Sequence, residues 1–195
     1  MKILFYDTET TGLPGHDVQG CGHTHSLNGQ PRPIQIGWIV TDETGNILKT
    51  RNRFILPKDF SVPERVSLFN GITTDYLKES GEDEKIVLDD FLNDIFTSDF
   101  EVGHNVLFDK NVILARLADL GRKRDYAMFL NHKAVCTMKG SYAWCGLHKS
   151  PKLMELHKML FCREFDNAHD AMADITATKD CYFEMLKHNI MTFPR

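Results

Sequence analysis

The sequence has no apolar run approaching the ~18 residues that a membrane span needs. Its opening, MKILFYD, offers only Ile3–Tyr6 before a charge, too little for the hydrophobic region of a secretory signal. The expectation is a cytoplasmic protein. There is no C-x-x-C pair either, and the five cysteines are scattered and odd in number. That excludes a disulfide framework and predicts free thiols in a reducing compartment. Internal repeats and linker-like segments are missing as well. So is an excess of positive charge: the formal net charge is −4, whereas nucleic-acid-binding domains are often basic. What is present is ordinary in bulk, 195 residues of which 42% are hydrophobic, enough for one core and one domain.

The first unusual stretch is FYDTETTGL, residues 5–13. Lys2–Tyr6 reads as a buried strand that ends in acids. Strand side chains alternate faces, so Asp7 and Glu9 share one face and Thr8 takes the other. Like charges on one face destabilise a sheet, and something must offset them. Residues Pro14 to Pro33 are rich in glycine, lack periodicity and form a long loop, a length usually tied to function or disorder. Pro33–Val40 and Ile47–Leu56 predict a hairpin across Glu43–Asn46. Leu88, Phe91, Leu92, Ile95 and Phe96 lie on one face of a helix. A strand at Phe100–Gly103, a helix at Asn111–Leu120 stopped by Gly121, a strand at Ala134–Met138 and helices at Lys152–Phe161 and Asp170–His188 complete the reading. A hairpin followed by alternating strands and helices predicts an α/β domain with a mixed sheet.

Two later stretches place acids where loops meet helices: GHNVLFDKNVI, with Asp109, and NAHDAMADITAT, with His169 and Asp174. Five residues at ~100° each leave His169 and Asp174 on different faces of one helix. They converge if His169 stands in the loop and only Asp174 is helical, with Asp170 or Asn167 as the cap. Singly, each acid is explained by the helix dipole, and a lone histidine is usually structural. Together and in this order, DTETTG (Asp7–Gly12), HNVLFD (His104–Asp109) and HDAMAD (His169–Asp174) resemble the DEDDh group of DnaQ-like 3′–5′ exonucleases. The resemblance runs from Asp7 to Thr178. It departs at Asn70, where the family commonly has histidine before GIT (Gly71–Thr73).

The resemblance implies a ribonuclease-H-like three-layer fold, with a central mixed sheet of about five strands flanked by helices. It implies two divalent cations, Mg²⁺ or Mn²⁺, which suit hard oxygen ligands and offset the clustered charge. Asp7 would bridge them, Glu9 and Asp174 would hold the ion on the nucleophile side, and Asp109 would support the other. His169 would take a proton from the attacking water. Thr10, Thr11, Gly12, Leu13, Asn70, Asn105 and Phe108 would contact the terminal nucleotide; Leu13 and Phe108 also read as plain core residues. The expected partner is the 3′ end of a single-stranded DNA, with a DNA polymerase as the companion of a proofreading activity. RNA trimming is the alternative substrate reading, and a binding module with a decayed site is the alternative class. The chain closes soon after the last helix, which predicts a domain acting alone or a part of something longer.

Removing the four site acids brings the formal charge from −4 to zero, so the remaining surface need not repel nucleic acid. Lys49, Arg51 and Arg53 share a strand face and Arg122–Arg124 form a second cluster. Either could meet phosphates, although edge-strand protection and solvated loop charge explain the two better. Cys21, His23 and His25, with His16 nearby, raise a zinc site, but their alternation supplies no fourth ligand.

Overall fold

The computed structural model describes residues 1–166 and 170–194. β1 (Lys2–Thr10), β2 (Pro33–Asp42) and β3 (Ile47–Phe54) form an antiparallel meander, and β4 (Phe100–Gly103) and β5 (Ala134–Cys136) add in parallel on the other side of β1. The sheet order is β3-β2-β1-β4-β5. The hairpin turn falls at the expected place. Asp42 Oδ1 accepts the Thr44 and Asn46 amides at 2.9 and 3.0 Å, and Gly45 takes the left-handed φ of 91° that the turn requires.

Eight helices accompany these strands among the described residues: α1 (Glu64–Asn70), α2 (Thr74–Ser80), α3 (Glu84–Phe96), α4 (Leu107–Asp119), α5 (Lys123–Asn131), α6 (Thr137–Cys145), α7 (Leu153–Phe161) and α8 (Ala171–Lys187). The alternation of β1 builds two cores. Leu4 and Tyr6 meet Phe91, Ile113 and Phe129 on one face, while Ile3 and Phe5 meet Ile175 and Tyr182 of α8 on the other. Each such side chain stabilises by about 1.5–3 kcal/mol. Three layers result, as expected. No helix among the described residues is long and apolar enough to cross a membrane.

Several boundaries differ from expectation. β1 continues through the acids to Thr10. α4 opens at Leu107, four residues earlier than predicted, which puts Asp109 in its first turn. β5 stops at Cys136 because the buried Thr137 opens α6. α1, α2, α5 and α6 lack clear signals: the first two span seven residues each, and α6 contains Gly140, against which Met191 packs.

The cationic stripe of β3 serves the fold. Lys49 pairs with Asp94 (2.6 Å), Arg51 with Asp90 (3.3 Å) and Arg53 with Glu82 (2.6 Å), tying the edge strand to α3 and the turn before it. Arg122 is likewise held by Asp89 and Asp125. Neither arginine nor lysine of that stripe is free for phosphate. The long loop has no helix or strand, yet it is pinned at several points. Arg32 meets Asp59 at 2.8 Å and lies over the Phe60 ring, and His25 Nε2 lies 2.9 Å from the Leu13 carbonyl oxygen. Cys21, His23 and His25 form no cation-sized group among the described residues.

Candidate active site

β1 outruns its parallel neighbour. Its pairing with β4 ends at Phe5–Val102, whereas its pairing with β2 continues to Thr10. Beyond Phe5 the β4 side of the strand is therefore open, and the α4 terminus fills it. The Thr8 amide and hydroxyl both donate to Asp109 Oδ1, at 2.9 and 2.7 Å. Thr8 thus turns away from Asp7 and Glu9, as strand alternation requires, and fixes an acid from the opposite layer. The next residue of α4, Lys110, is buried and donates to Glu101 Oε1 and to the His132 carbonyl, both at 2.7 Å. This buried ion pair sets the register of α4 against the sheet.

Asp7 and Glu9 face α8. Asp170 caps that helix, accepting the Met172 and Ala173 amides at 3.0 Å, and Asp174 follows in the first turn. One carboxylate oxygen from each of Asp7, Glu9 and Asp174 lies within 4.8 Å of the others. Gly37 makes the approach possible. It pairs directly with Asp7 across the β1–β2 ladder. A Cβ there would stand 2.6 Å from Ile175 Cδ1 and 3.1 Å from Met172 Sδ. Gly37→Val is expected to push α8 off the sheet, costing about 1–3 kcal/mol from overpacking and separating Asp174 from its partners. Melting and turnover per folded molecule, measured together, check this; normal turnover in a destabilised variant would count against the spacing role.

The electrostatics follow from the crowding. Burial, then the charges of Asp109, Glu9 and Asp174, hold the Asp7 carboxyl well above the usual carboxylate range. Burial pushes Glu9 up to about 7, against the opposing hydrogen bond from Asn70. Asp109 is also pushed up to about 7 by burial, against the Thr8 donors. Nearby carboxylates that resist ionisation favour bound protons or a bound cation. The tight group contains only hard oxygen donors, the set that suits Mg²⁺-like ions. The residues fit a divalent cation.

Beside the carboxylates lies a cleft of about 680 Å³, within the ~300–1,000 Å³ range of small-ligand sites. Thr8, Glu9, Leu13, Phe69, Asn70 and Phe108 contribute to its wall. Leu13 is 74% exposed, so it is a wall residue rather than core. Asn70, on the cleft wall, has a further part besides its expected one as a nucleotide contact. Its Oδ1 accepts the Ile72 amide, which turns Nδ2 onto Glu9 Oε2 at 2.9 Å, so it orients an acid of the site. The Thr11 side chain departs from expectation. Its buried hydroxyl accepts the Arg32 amide at 2.9 Å and donates to the Thr24 carbonyl, anchoring the loop. Thr10 is buried and its hydroxyl binds the Gly12 carbonyl. Asn105 is exposed, with a left-handed φ of 66°. His169, and the alternative cap Asn167, lie outside the described residues.

Arg65 and Phe69 had no sequence signal, since α1 is short and presents apolar residues to solvent. Phe69 is 63% exposed. Arg65 Nη2 lies 3.4 Å from where a Cβ on Gly12 would stand, and Arg65 joins no ion pair among the described residues. A second hollow, about 710 Å³ within the long loop and lined by His16, Asp17 and His25, does not reach the carboxylates.

A mixed five-stranded sheet with its carboxylates gathered at the end of the central strand, from layers on both faces, is the arrangement that the sequence resemblance to DnaQ-like exonucleases implies. The sequence profile of the family RNase_T: Exonuclease matches residues 4–182, and the chain belongs to this exonuclease family. No curated protein matches the sequence significantly. Among solved structures the fold is similar to Escherichia coli exonuclease I in complex with a dT13 oligonucleotide (TM-score 0.71, 23% identity, 95% of this chain and 41% of that one). It is also similar to the zinc-ion-bound form of the E. coli ExoI–ssDNA complex (0.70, 24%, 96% and 40%). A moderately thermophilic exonuclease I from Methylocaldum szegediense gives 0.73, 20%, 95% and 40%. The chain therefore spans about two fifths of those proteins.

Proposed function

We propose that the 195 residues form one exonuclease domain that hydrolyses single-stranded DNA from its 3′ end and releases nucleoside 5′-monophosphates. The observation that carries this reading is the convergence of Asp7, Glu9 and Asp174 beside a nucleotide-sized cleft. The DTETTG form of the first motif and the single-stranded oligonucleotides bound to similar structures support DNA over RNA. Asp7, Glu9 and Asp174 would hold one Mg²⁺ or Mn²⁺, and Asp7 with Asp109 a second. When bound, such ions stabilise the charge on the attacking and leaving oxygens.

The chain's own residues do the positioning. Asn70 holds Glu9 and Thr8 holds Asp109, so the carboxylates are oriented before substrate arrives. Leu13, Phe69 and Phe108 give the terminal base and sugar an apolar wall, and the Arg65 guanidinium offers a bidentate phosphate contact at its rim. His169, by the family resemblance, accepts the proton of the attacking water. All five cysteines are free, which agrees with a reducing cytoplasm, and proofreading beside a polymerase is the setting the resemblance implies.

The test is digestion of end-labelled single-stranded DNA and RNA, with Mg²⁺, with Mn²⁺ and with excess EDTA. A 3′-phosphate is expected to block digestion by at least tenfold, because the terminal nucleotide would be gripped in the cleft beside Gly12 and Leu13, whereas a 5′-phosphate changes nothing. Equal digestion of 3′-blocked and free strands would overturn the polarity. Cleavage in EDTA would overturn the metal requirement, and a preference for RNA would move the substrate class.

A further inference from the structure

The longest acid-free stretch of the sequence runs from Tyr126 to Met154, and it carries Lys133, Lys139, Lys149 and Lys152 in a chain of formal charge −4. The structure ties its second half to the connection between β4 and α4. α6 opens at Thr137 beside the end of β4, and residues 146–152 return from α6 to α7. His104, which joins β4 to the Asp109 helix, ties down both ends of this excursion. Its Nε2–H donates to the Pro151 carbonyl at 3.0 Å, so the neutral ring accepts the Thr137 hydroxyl at Nδ1, also at 3.0 Å. Burial lowers the proton affinity of this ring, in keeping with that tautomer. The loop is thus fastened to the same connection that presents Asn105, Phe108 and Asp109.

Its cations differ from the others near the sheet. Lys49, Arg51, Arg53 and Arg122 are neutralised by acids of or near α3 and α5. Lys139, in the first turn of α6, and Lys152 join no ion pair among the described residues. Lys149 meets Glu155 at 2.8 Å with 63% of its side chain exposed, a pair that an incoming phosphate displaces at little cost.

We propose that residues 148–152, together with Lys139, form a phosphate track for the nucleotides upstream of the 3′ end. The inference rests on the exonuclease reading above. A polynucleotide whose last phosphodiester lies against four acids is repelled there, and the cations that hold its backbone must stand just outside the acidic cleft. The acid-free segment, fastened through His104 to the connection that leads into the Asp109 helix, supplies them. The occupant is the sugar–phosphate backbone of a single strand, read by charge and not by base.

The test compares wild type with the K149Q/K152Q double variant on two substrates: a dT12 oligonucleotide and the p-nitrophenyl ester of thymidine 5′-monophosphate, which has no upstream phosphate. The expected result is a KM for dT12 raised about five- to tenfold, with hydrolysis of the ester unchanged. The plot of log affinity for dT12 against log salt should become shallower by about 1.4, the ~0.7 per single-strand phosphate contact taken twice. Unchanged KM and salt slope on dT12 would overturn the track, as would equal losses on both substrates. If wild type hydrolyses neither substrate, the exonuclease reading fails. Anisotropy of labelled dT12 then tests the surface alone, and equal affinity of the two proteins overturns it. Loss of binding to polyglutamate with dT12 affinity intact would assign the surface to an acidic protein and also overturn the proposal.

Discussion

Asp7→Asn is expected to abolish turnover and, in the metal-free protein, to raise the melting temperature. Asp7 is the acid closest to all the others: the charges of Asp109, Glu9 and Asp174 all act on it. Removing its charge takes away the shared ligand of the proposed cations, and with it several kcal/mol of transition-state stabilisation. At 1.36 kcal/mol per tenfold, the loss is on the order of 10³-fold or more. The fold responds the other way. The carboxamide keeps the size of the carboxyl and relieves like-charge repulsion inside the sheet's end, so a gain of about 1 kcal/mol, or roughly 2–4 °C, is expected at pH 8 in EDTA. Near-normal turnover would sink the bridging role. A lower melting temperature would sink the repulsion account.

The second large effect is on stability against pH. Glu9 and Asp109 both titrate near 7 in the folded chain, against 4.5 and 3.8 for the free groups. Groups with raised affinity bind more protons folded than unfolded, so their contribution is complete below about pH 4 and is lost as pH rises through about 7. The metal-free protein should therefore melt lower at pH 8 than at pH 5, by on the order of 2–3 kcal/mol per group at 1.36 kcal/mol per pH unit. The two losses do not simply add, because protonating one acid relieves the next. Asp42, held well below the usual carboxylate range by its turn donors, titrates too low to mask the effect. Millimolar Mg²⁺ or Mn²⁺ should reverse the fall at pH 8, since a cation at 100 times its Kd restores about 2.7 kcal/mol. Thermal melts from pH 5 to 8, with and without cation, decide the matter. A flat profile in EDTA, or one indifferent to cations, would count against the clustered site.

Much of this was legible in the sequence because strand alternation is strict. Asp7 and Glu9 had to share a face and Thr8 had to leave it, and a helix-start acid after Phe100–Gly103 had to arrive near the end of the sheet. What alternation could not show was the neighbour across the strand. Gly37 sits mid-strand in PIQIGWIV and reads as a weak point, yet its missing Cβ is what lets α8 bring Asp174 in. Asn70 was visible only as a departure from a pattern, and its bond to Glu9 depends on how α1 packs, a matter of long-range contacts. The β3 cations read better as a guarded edge than as a phosphate surface, but only the packing of α3 showed which acids pair with them. The loop cysteine and histidines were close in sequence and are held apart by backbone bonds to other partners.

The distance in sequence between Asp7 and Asp174 has a consequence for how the protein is made. β1, with two of the acids, leaves the ribosome well before α8, which brings the third. Until α8 docks on Gly37, half of the sheet is bare and the triad is incomplete. On the proposed roles, a nascent or prematurely terminated chain ending before Ala171 lacks the third acid of the group and is expected not to cut.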